Sequence, residues 1–289
     1  MVRFSWWKPE PLTSAILWAM RLISSRQNAL VTSYRSVTRR QRSNTDNRIF
    51  LDGVHLIVEA KTAGLAIQEA AFDADRLKSR DEELLNLATF LKNENTRIVK
   101  VTKSVMAAIS PVRKPSGVVA IAERPSAILD DLLTNNRAMF LVLIDIQDPG
   151  NVGAIIRAAD GGGATAVVTV GATAEPYSWK ALRASMGSAF RIPVVSHNDI
   201  KDLVLRARQA QLDILATTPR HGTSLFSYTF PSNPLILLGN EGAGLPPEIV
   251  ELVDDTVSVP MQAGVESLNV AVTAGLVVYE AYRQRRMTQ

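Results

Sequence analysis

The chain has 289 residues, 46% hydrophobic and 21% charged, which is the length and composition of a globular protein with up to two domains. It contains no cysteine, which excludes disulfides, thiolate metal sites and enzymes that attack through a cysteine. The histidines, His55, His197 and His221, are too far apart for a metal-ligand motif, so we expect no metal. Arg21 interrupts the best apolar stretch well before the ~20 residues of a membrane-spanning helix, and we predict a cytoplasmic protein.

Positive charge is concentrated near the amino terminus. Residues 1–48 contain nine Lys and Arg against two Asp and Glu, whereas the other 241 residues contain 23 and 26. We predict a basic N-terminal extension over residues 1–46, because a basic, Ser-rich segment favours contact with nucleic acid. A solvated tail and an organelle-targeting segment have the same composition and remain alternatives.

Residues 47–125 alternate short apolar runs with helical periods, which predicts a small α/β domain. The predicted strands are 48–53, 67–73, 96–102 and 117–123, and the predicted helices are 54–64 and 81–94. Acidic residues in the first turn of the second helix match the direction of the helix dipole. Pro125 interrupts the pattern and marks a linker at 123–127.

Residues 126–289 are more regular and predict a parallel sheet covered by helices on both faces. The predicted strands are 139–145, 165–171, 192–195, 213–218, 235–240 and 256–261, and the predicted helices lie near 152–161, 178–189, 198–210, 246–253 and 267–285. Such sheets bind ligands at the carboxyl ends of their strands. The last helix is apolar almost all round until Tyr282, so we expect it to pack on the sheet and on a second subunit.

Two polar loops follow predicted strands. In "DIQDPGNVGAIIRAADGGGA" (145–164), Gly153 lies one turn before Arg157 and leaves room for its guanidinium to extend. Equally, Asn151 could simply cap the helix and Arg157 could pair with Asp160. In "VSVPMQAGVESLNVAV" (257–272), Ser267 and Asn269 precede the last helix, and capping accounts for only one of them.

A glycine-rich loop, "LGNEGAGLP" (238–246), follows another strand. It is neither the GxGxxG dinucleotide fingerprint nor a GxxxxGK[ST] phosphate loop, and the carboxylate of Glu241 would repel a phosphate. The glycines indicate close approach of the backbone to some other ligand. A tight turn with a solvated Glu241 is the alternative.

Together the three loops resemble the motifs of the SpoU (TrmH-type) family of SPOUT RNA methyltransferases, in the same order along the chain. The matching residues are Asn151, Gly153 and Arg157; then Gly239, Glu241, Gly242, Gly244 and Leu245; then Val259-Pro260-Met261 with Ser267-Leu268-Asn269-Val270. Residues 24–37 and 47–60 resemble the substrate-binding region of many members. Asp52 stands where that family more often has glutamate, and Ala158 where it often has a small hydroxyl residue.

The resemblance implies S-adenosyl-L-methionine (SAM)-dependent methylation of a ribose 2′-hydroxyl in structured RNA, with 23S-type ribosomal RNA favoured over transfer RNA. It implies a homodimer, an α/β fold with a trefoil knot in a SPOUT methyltransferase domain at 126–289, and a smaller RNA substrate-binding domain at 47–125. A non-catalytic RNA-binding or ribosome-assembly protein on the same fold is the alternative. Transfer from a sulfonium to an oxygen needs no protein nucleophile, so the absence of cysteine is no obstacle.

By the same resemblance, two sets of residues form the site. The catalytic set is Asn151, Arg157, Glu241, Ser267 and Asn269, and the cofactor set is Thr217, Leu238, Gly239, Gly242, Val259, Met261 and Leu268. A guanidinium essentially never loses its proton in proteins, so we expect Arg157 to act as a fixed cation on the 2′-oxygen or a neighbouring phosphate.

Overall fold

The computed structural model describes residues 20–39, 47–94, 96–134, 137–240 and 242–287. These residues form two compact units that divide between Arg124 and Pro125, with Tyr177–Trp179 grouped with the first unit. No helix in the described ranges is long and apolar enough to cross a membrane.

The first unit is a five-stranded sheet with helices packed on it. Its elements are β1 (Leu22–Ile23), α1 (Ala29–Arg39), β2 (Arg48–Asp52), α2 (Val54–Thr62), β3 (Ile67–Asp73), α3 (Ala74–Lys78), α4 (Glu82–Asn93), β4 (Arg97–Val101), α5 (Lys103–Ile109) and β5 (Val118–Glu123). The strand order is β1-β4-β3-β5-β2. β5 runs antiparallel to both of its neighbours, and the other pairs are parallel.

Residues 20–39 belong to this unit, although the charge pattern placed them in an N-terminal extension. β1 pairs with β4, and α1 buries Leu30, Val31, Tyr34 and Val37, which recur at helical spacing, in the core of the unit. A count of charges over the whole segment does not reveal this buried face, because the basic residues of α1 lie on the exposed face of the same helix. The remainder of the predicted extension, residues 1–19 and 40–46, lies outside the described residues.

The second unit is an α/β structure with a seven-stranded, fully parallel sheet, as the apolar runs predicted. Its strands are β6 (Phe140–Ile144), β7 (Ala166–Val170), β8 (Val194–His197), β9 (Asp213–Thr217), β10 (Thr223–Ser224), β11 (Pro234–Leu238) and β12 (Asp255–Ser258). Its helices are α6 (Leu129–Leu133), α7 (Pro149–Gly161), α8 (Trp179–Ser185), α9 (Ile200–Gln209), α10 (Pro247–Val250) and α11 (Val270–Met287). β10 escaped prediction because two residues show no periodicity.

The strand order β10-β12-β9-β11-β6-β7-β8 places late strands beside early ones. The chain proceeds from β6 outward through β7 to β8 and then crosses to β9, and β11 lies between β9 and β6. A ligand crevice is expected where strand order reverses, outside the carboxyl ends of the strands. The three loops singled out from the sequence follow β6, β11 and β12, so all three begin at that edge.

Candidate functional site

A pocket of about 330 Å³ lies at the carboxyl ends of β9, β11 and β12. Six of the seven residues predicted to bind the cofactor line it: Thr217, Gly239, Gly242, Val259, Met261 and Leu268. Ser267, from the catalytic set, also lines it. Leu238 does not, because it is fully buried within β11, where it pairs with Leu143 of β6. The sheet edge has therefore brought together residues as far apart in the sequence as Thr217 and Leu268.

Asn240 organises the glycine-rich loop, a role that the sequence pattern does not indicate. Its amide oxygen accepts from the backbone N–H groups of Gly242 and Ala243, at 2.8 and 3.2 Å. Its amide nitrogen donates to the carbonyl of Asp145 at 2.8 Å, which ties the loop to the end of β6. Its own carbonyl accepts from Gly244 N–H at 3.0 Å. The loop is therefore closed on one side chain before any ligand binds, while Glu241 lies outside the described residues.

Gly239 is required by the loop itself. A Cβ at this position would lie 2.5 Å from the carbonyl carbon and 2.7 Å from the oxygen of Gly244, and 2.6 Å from the nitrogen of Leu245. All three atoms belong to the backbone, which cannot swing aside as a flexible side chain can. The glycine thus lets the loop fold back on its own first residue, whereas the sequence suggested only that it lets the loop approach a ligand.

Helix α7 is capped by Asp148, and Asn151 has another role. One Asp148 carboxylate oxygen accepts from the N–H groups of Gly150 and Asn151, at 2.6 and 3.1 Å, as an N-cap does. The side-chain oxygen of Asn151 instead accepts from the amide nitrogen of Asn269 at 3.0 Å. The interpretation of Asn151 as merely a helix cap was therefore wrong, because Asp148 already fills that position.

Asn269 uses both ends of its amide. Its oxygen accepts from the N–H groups of Ala271 and Val272, at 2.9 and 3.3 Å, and so caps α11. Its nitrogen makes the bond to Asn151. One hydrogen bond thus joins the first polar loop to the third, across 118 positions of sequence.

Gly153 serves helix packing. A Cβ there would lie 2.2 Å from the carbonyl oxygen of Ala181 and 2.7 Å from the Cβ of Ala184, both on α8. The glycine therefore lets the backbones of α7 and α8 approach each other closely. The sequence predicts that this glycine leaves room for Arg157, and the structure adds a second reason for it, the contact with α8.

Arg157 is exposed and has no hydrogen-bond or ion-pair partner among the residues that the structure describes. The neighbour that could have neutralised it, Asp160, is bound to Arg191 with a nitrogen–oxygen distance of 2.8 Å. The alternative in which Arg157 pairs with Asp160 is therefore wrong. The arginine does not line the pocket, and its charge is available to a partner.

The pocket lining suits SAM. Val259, Met261 and Leu268 give the pocket apolar surface that would suit an adenine, and Glu266 adds a carboxylate that would attract the positive groups of SAM. The hydroxyl of Thr218 is buried in the lining and has no hydrogen-bond partner among the described residues. A buried polar atom without a partner is costly, so this hydroxyl is available to a polar group of the ligand. Thr218 could not be predicted from the sequence, because an isolated threonine belongs to no recognisable motif.

Comparisons with known proteins agree with this geometry. The profile of the SpoU rRNA Methylase family matches residues 138–279, and that of the MRM3-like substrate binding domain matches residues 28–120. The 23S rRNA (guanosine(2553)-2'-O)-methyltransferase RlmP of Bacillus subtilis is 30% identical over 263 residues, covering 90% of this chain and 98% of that protein. The 23S rRNA (uridine(2479)-2'-O)-methyltransferase of Streptomyces viridochromogenes is 32% identical over 274 residues, covering 92% and 93%.

A solved structure shares the architecture as well. The SpoU methyltransferase AviRb from Streptomyces viridochromogenes, crystallised with the cofactor AdoMet, matches with a TM-score of 0.77 at 30% identity, covering 90% of this chain and 99% of that one. The relatives are therefore similar over nearly their whole length, in both units. On this evidence, the chain belongs to the SpoU family of RNA methylases.

Proposed function

We propose that this protein transfers a methyl group from SAM to a ribose 2′-hydroxyl of a structured RNA, and that the RNA is 23S-type ribosomal RNA. The observation that carries the proposal is the Asn269–Asn151 hydrogen bond, which joins the first and the last of the three family motifs. The remaining motif, the glycine-rich loop, lines the pocket together with residues of the last motif. The similar proteins from Bacillus and Streptomyces are named for 2′-O-methylation of 23S rRNA, one at a guanosine and the other at a uridine. With that substrate in mind, we also propose a cytoplasmic location.

The described residues divide the work of the reaction. SAM, when bound, supplies a methyl group on a positively charged sulfur, which an oxygen can take by in-line displacement. The pocket residues hold and orient the cofactor, since positioning alone contributes several kcal/mol to such a step. Asn151 and Asn269 hold each other in fixed orientations at the start of α7 and α11. Arg157 offers its fixed positive charge to the 2′-oxygen or a neighbouring phosphate as the hydroxyl loses its proton.

The two units have separate tasks in this proposal. We assign RNA binding to the first, over residues 47–125 together with the structured residues 20–39, and methyl transfer to residues 126–289. Support comes from the match of residues 28–120 to a substrate-binding domain. We also propose that the chain is knotted around the pocket, which is consistent with β11 lying between β9 and β6.

Mapping of ribose methylation tests the function directly. Total RNA from a strain that lacks the gene is compared with RNA from its parent by mass spectrometry. We expect one 2′-O-methyl group of 23S rRNA to disappear and to return when the gene is restored. Loss from transfer RNA alone would select the transfer-RNA alternative. An unchanged methylation pattern in both RNAs would favour the non-catalytic alternative.

A homodimer is part of the proposal, and one face of α11 supports it. Val272, Leu276 and Tyr279 recur at helical spacing on this helix and are 51%, 38% and 51% exposed. The opposite face, including Ala274, Val277 and Val278, is buried in the same unit. An exposed apolar stripe on a helix whose opposite face is buried is typical of a surface that a second copy covers.

Leu276→Asp tests the dimer. A carboxylate in the middle of an apolar interface would be desolvated without a partner, so we expect the variant to be monomeric at micromolar concentration. Light scattering measures the molar mass. Leu205→Asp, which alters an exposed leucine on α9, is the matched control and should leave the mass unchanged. A wild-type protein that is itself monomeric would contradict the proposed dimer.

A further inference from the structure

Phe226 is a strongly exposed aromatic side chain next to the pocket. It follows β10, which runs parallel to β12, so its loop begins at the same sheet edge as the pocket. The N–H of the preceding residue, Leu225, donates to the carbonyl of Ser258 at 2.8 Å, and Val259, the next residue, lines the pocket. Phe226 is therefore one strand beyond the pocket wall, yet it is 67% exposed and does not line the pocket itself.

The turn that presents Phe226 is well ordered by hydrogen bonds. The N–H groups of Ser227 and Tyr228 both donate to the carbonyl of Ser224 at 3.0 Å, which closes the turn around Phe226. Leu225 is fully buried and anchors the turn on the inside. An exposed phenyl ring on a fixed turn forgoes the burial that apolar groups normally gain, so it is a candidate contact for a partner.

The segment that joins β9 to β10 carries a positive charge. Arg220 is exposed, and its side chain has no hydrogen-bond or ion-pair partner among the described residues. This segment starts at Thr218 and Pro219, which line the pocket, so the cation before β10 and the aromatic ring after it both lie next to the pocket. A cation for a phosphate beside a ring for a base is the combination that binds unpaired nucleic acid.

We propose that Phe226 stacks on an unpaired base of the RNA substrate next to the methylated nucleotide, and that Arg220 binds a phosphate of the same strand. The proposal rests on the proposed function, in that the RNA is the methyl acceptor. Stacking has little base preference, since every base has a flat face. The contact therefore holds the strand in place beside the pocket without selecting the nucleotide.

Phe226→Ala tests the stacking contact. The probe is protein-free 23S rRNA from the deletion strain, and its affinity is measured without SAM by fluorescence anisotropy, so the result is independent of turnover. Loss of one stacked base should weaken RNA binding, and raise KM for RNA, about 10-fold. Phe226→Trp, which keeps a flat ring, should restore both values, while KM for SAM should stay within about twofold of wild type.

Two further variants sharpen the test. Leu205→Ala removes an exposed apolar side chain from α9 and should change neither affinity. Arg220→Ala should reduce the slope of log affinity against log salt by about 0.7, as expected for one phosphate contact to a single strand.

Three results with Phe226→Ala would overturn the inference. The first is an unchanged RNA affinity. The second is a parallel loss of SAM affinity, which would mean that the ring contacts the cofactor, and the third is a change of molar mass in light scattering, which would mean that it contacts a second copy. Wild-type protein that binds the RNA but transfers no methyl group would instead refute the proposed function, while the effect of Phe226→Ala on binding would still decide the stacking contact.

Discussion

Arg157→Ala should abolish methyl transfer and leave SAM binding nearly intact. The guanidinium is exposed, does not line the pocket and is not held by Asp160, which is bound to Arg191. Its removal therefore breaks no hydrogen bond or ion pair with the described residues. Loss of a fixed charge that stabilises a developing negative oxygen typically costs a factor of about 10² to 10³ in rate. We expect a loss at least that large in kcat, with the dissociation constant for SAM changed by less than about twofold.

Single-turnover kinetics measures the rate, and calorimetry measures SAM binding. Arg157→Lys keeps the charge but loses the planar fork of donors, so we expect it to recover only part of the rate. Lys201→Ala, which removes an exposed cation from α9, is the control and should have wild-type kinetics. Equal losses of rate and SAM affinity in Arg157→Ala would refute the assignment of this arginine to the RNA side of the reaction.

Gly239→Ala should instead remove SAM binding. The added methyl group would lie 2.5 to 2.7 Å from backbone atoms of Gly244 and Leu245, so the loop would have to open. Opening separates Asn240 from the N–H groups that it holds, and the pocket loses one wall. We expect the dissociation constant for SAM to rise more than about 10-fold, because a displacement of the loop by about 1 Å would remove contacts along the whole cofactor.

Gly242→Ala is the matched comparison, since it places the same methyl group in the same loop. Its Cβ would meet only the side-chain oxygen of Asn240, at an ordinary 3.6 Å. Calorimetry should show a SAM affinity much closer to wild type than that of Gly239→Ala, and thermal unfolding should show that both variants are folded. Equal losses in the two variants would mean that the loop is sensitive to any side chain, and would contradict the role given to the Gly239–Gly244 contact.

The sequence predicted the parallel sheet of the second unit because buried parallel strands, such as β6 and β11, are continuous apolar runs. It also predicted which loops converge, since the carboxyl ends of parallel strands share one edge. It did not predict β1 or β10, whose two residues each have no period to detect. Helix α1 was missed for another reason, because the charge balance of residues 1–48 outweighed four buried positions at helical spacing.

Within the site, residue types were easier to predict than contacts. Asn151 and Asp148 are both good helix caps, and only the folded backbone decides that Asp148 takes the position. The role of Asn240 depends on the carbonyl of Asp145, which is 95 residues away. Gly153 has a partner in the backbone of α8, which no local pattern indicates. Backbone partners leave no trace in a sequence, because every residue type offers the same carbonyl.

The double use of the Asn269 amide bears on how activity can be recognised in related chains. A descendant that lost methyl transfer but kept the fold would still need a cap for its long C-terminal helix, and so would retain this asparagine for stability. The same holds for Asn151, its hydrogen-bond partner. Arg157 makes no stabilising hydrogen bond or ion pair with the described residues, so random substitution would replace it before the two asparagines. An arginine at this position therefore distinguishes a working enzyme from an inactive relative better than the two asparagines do.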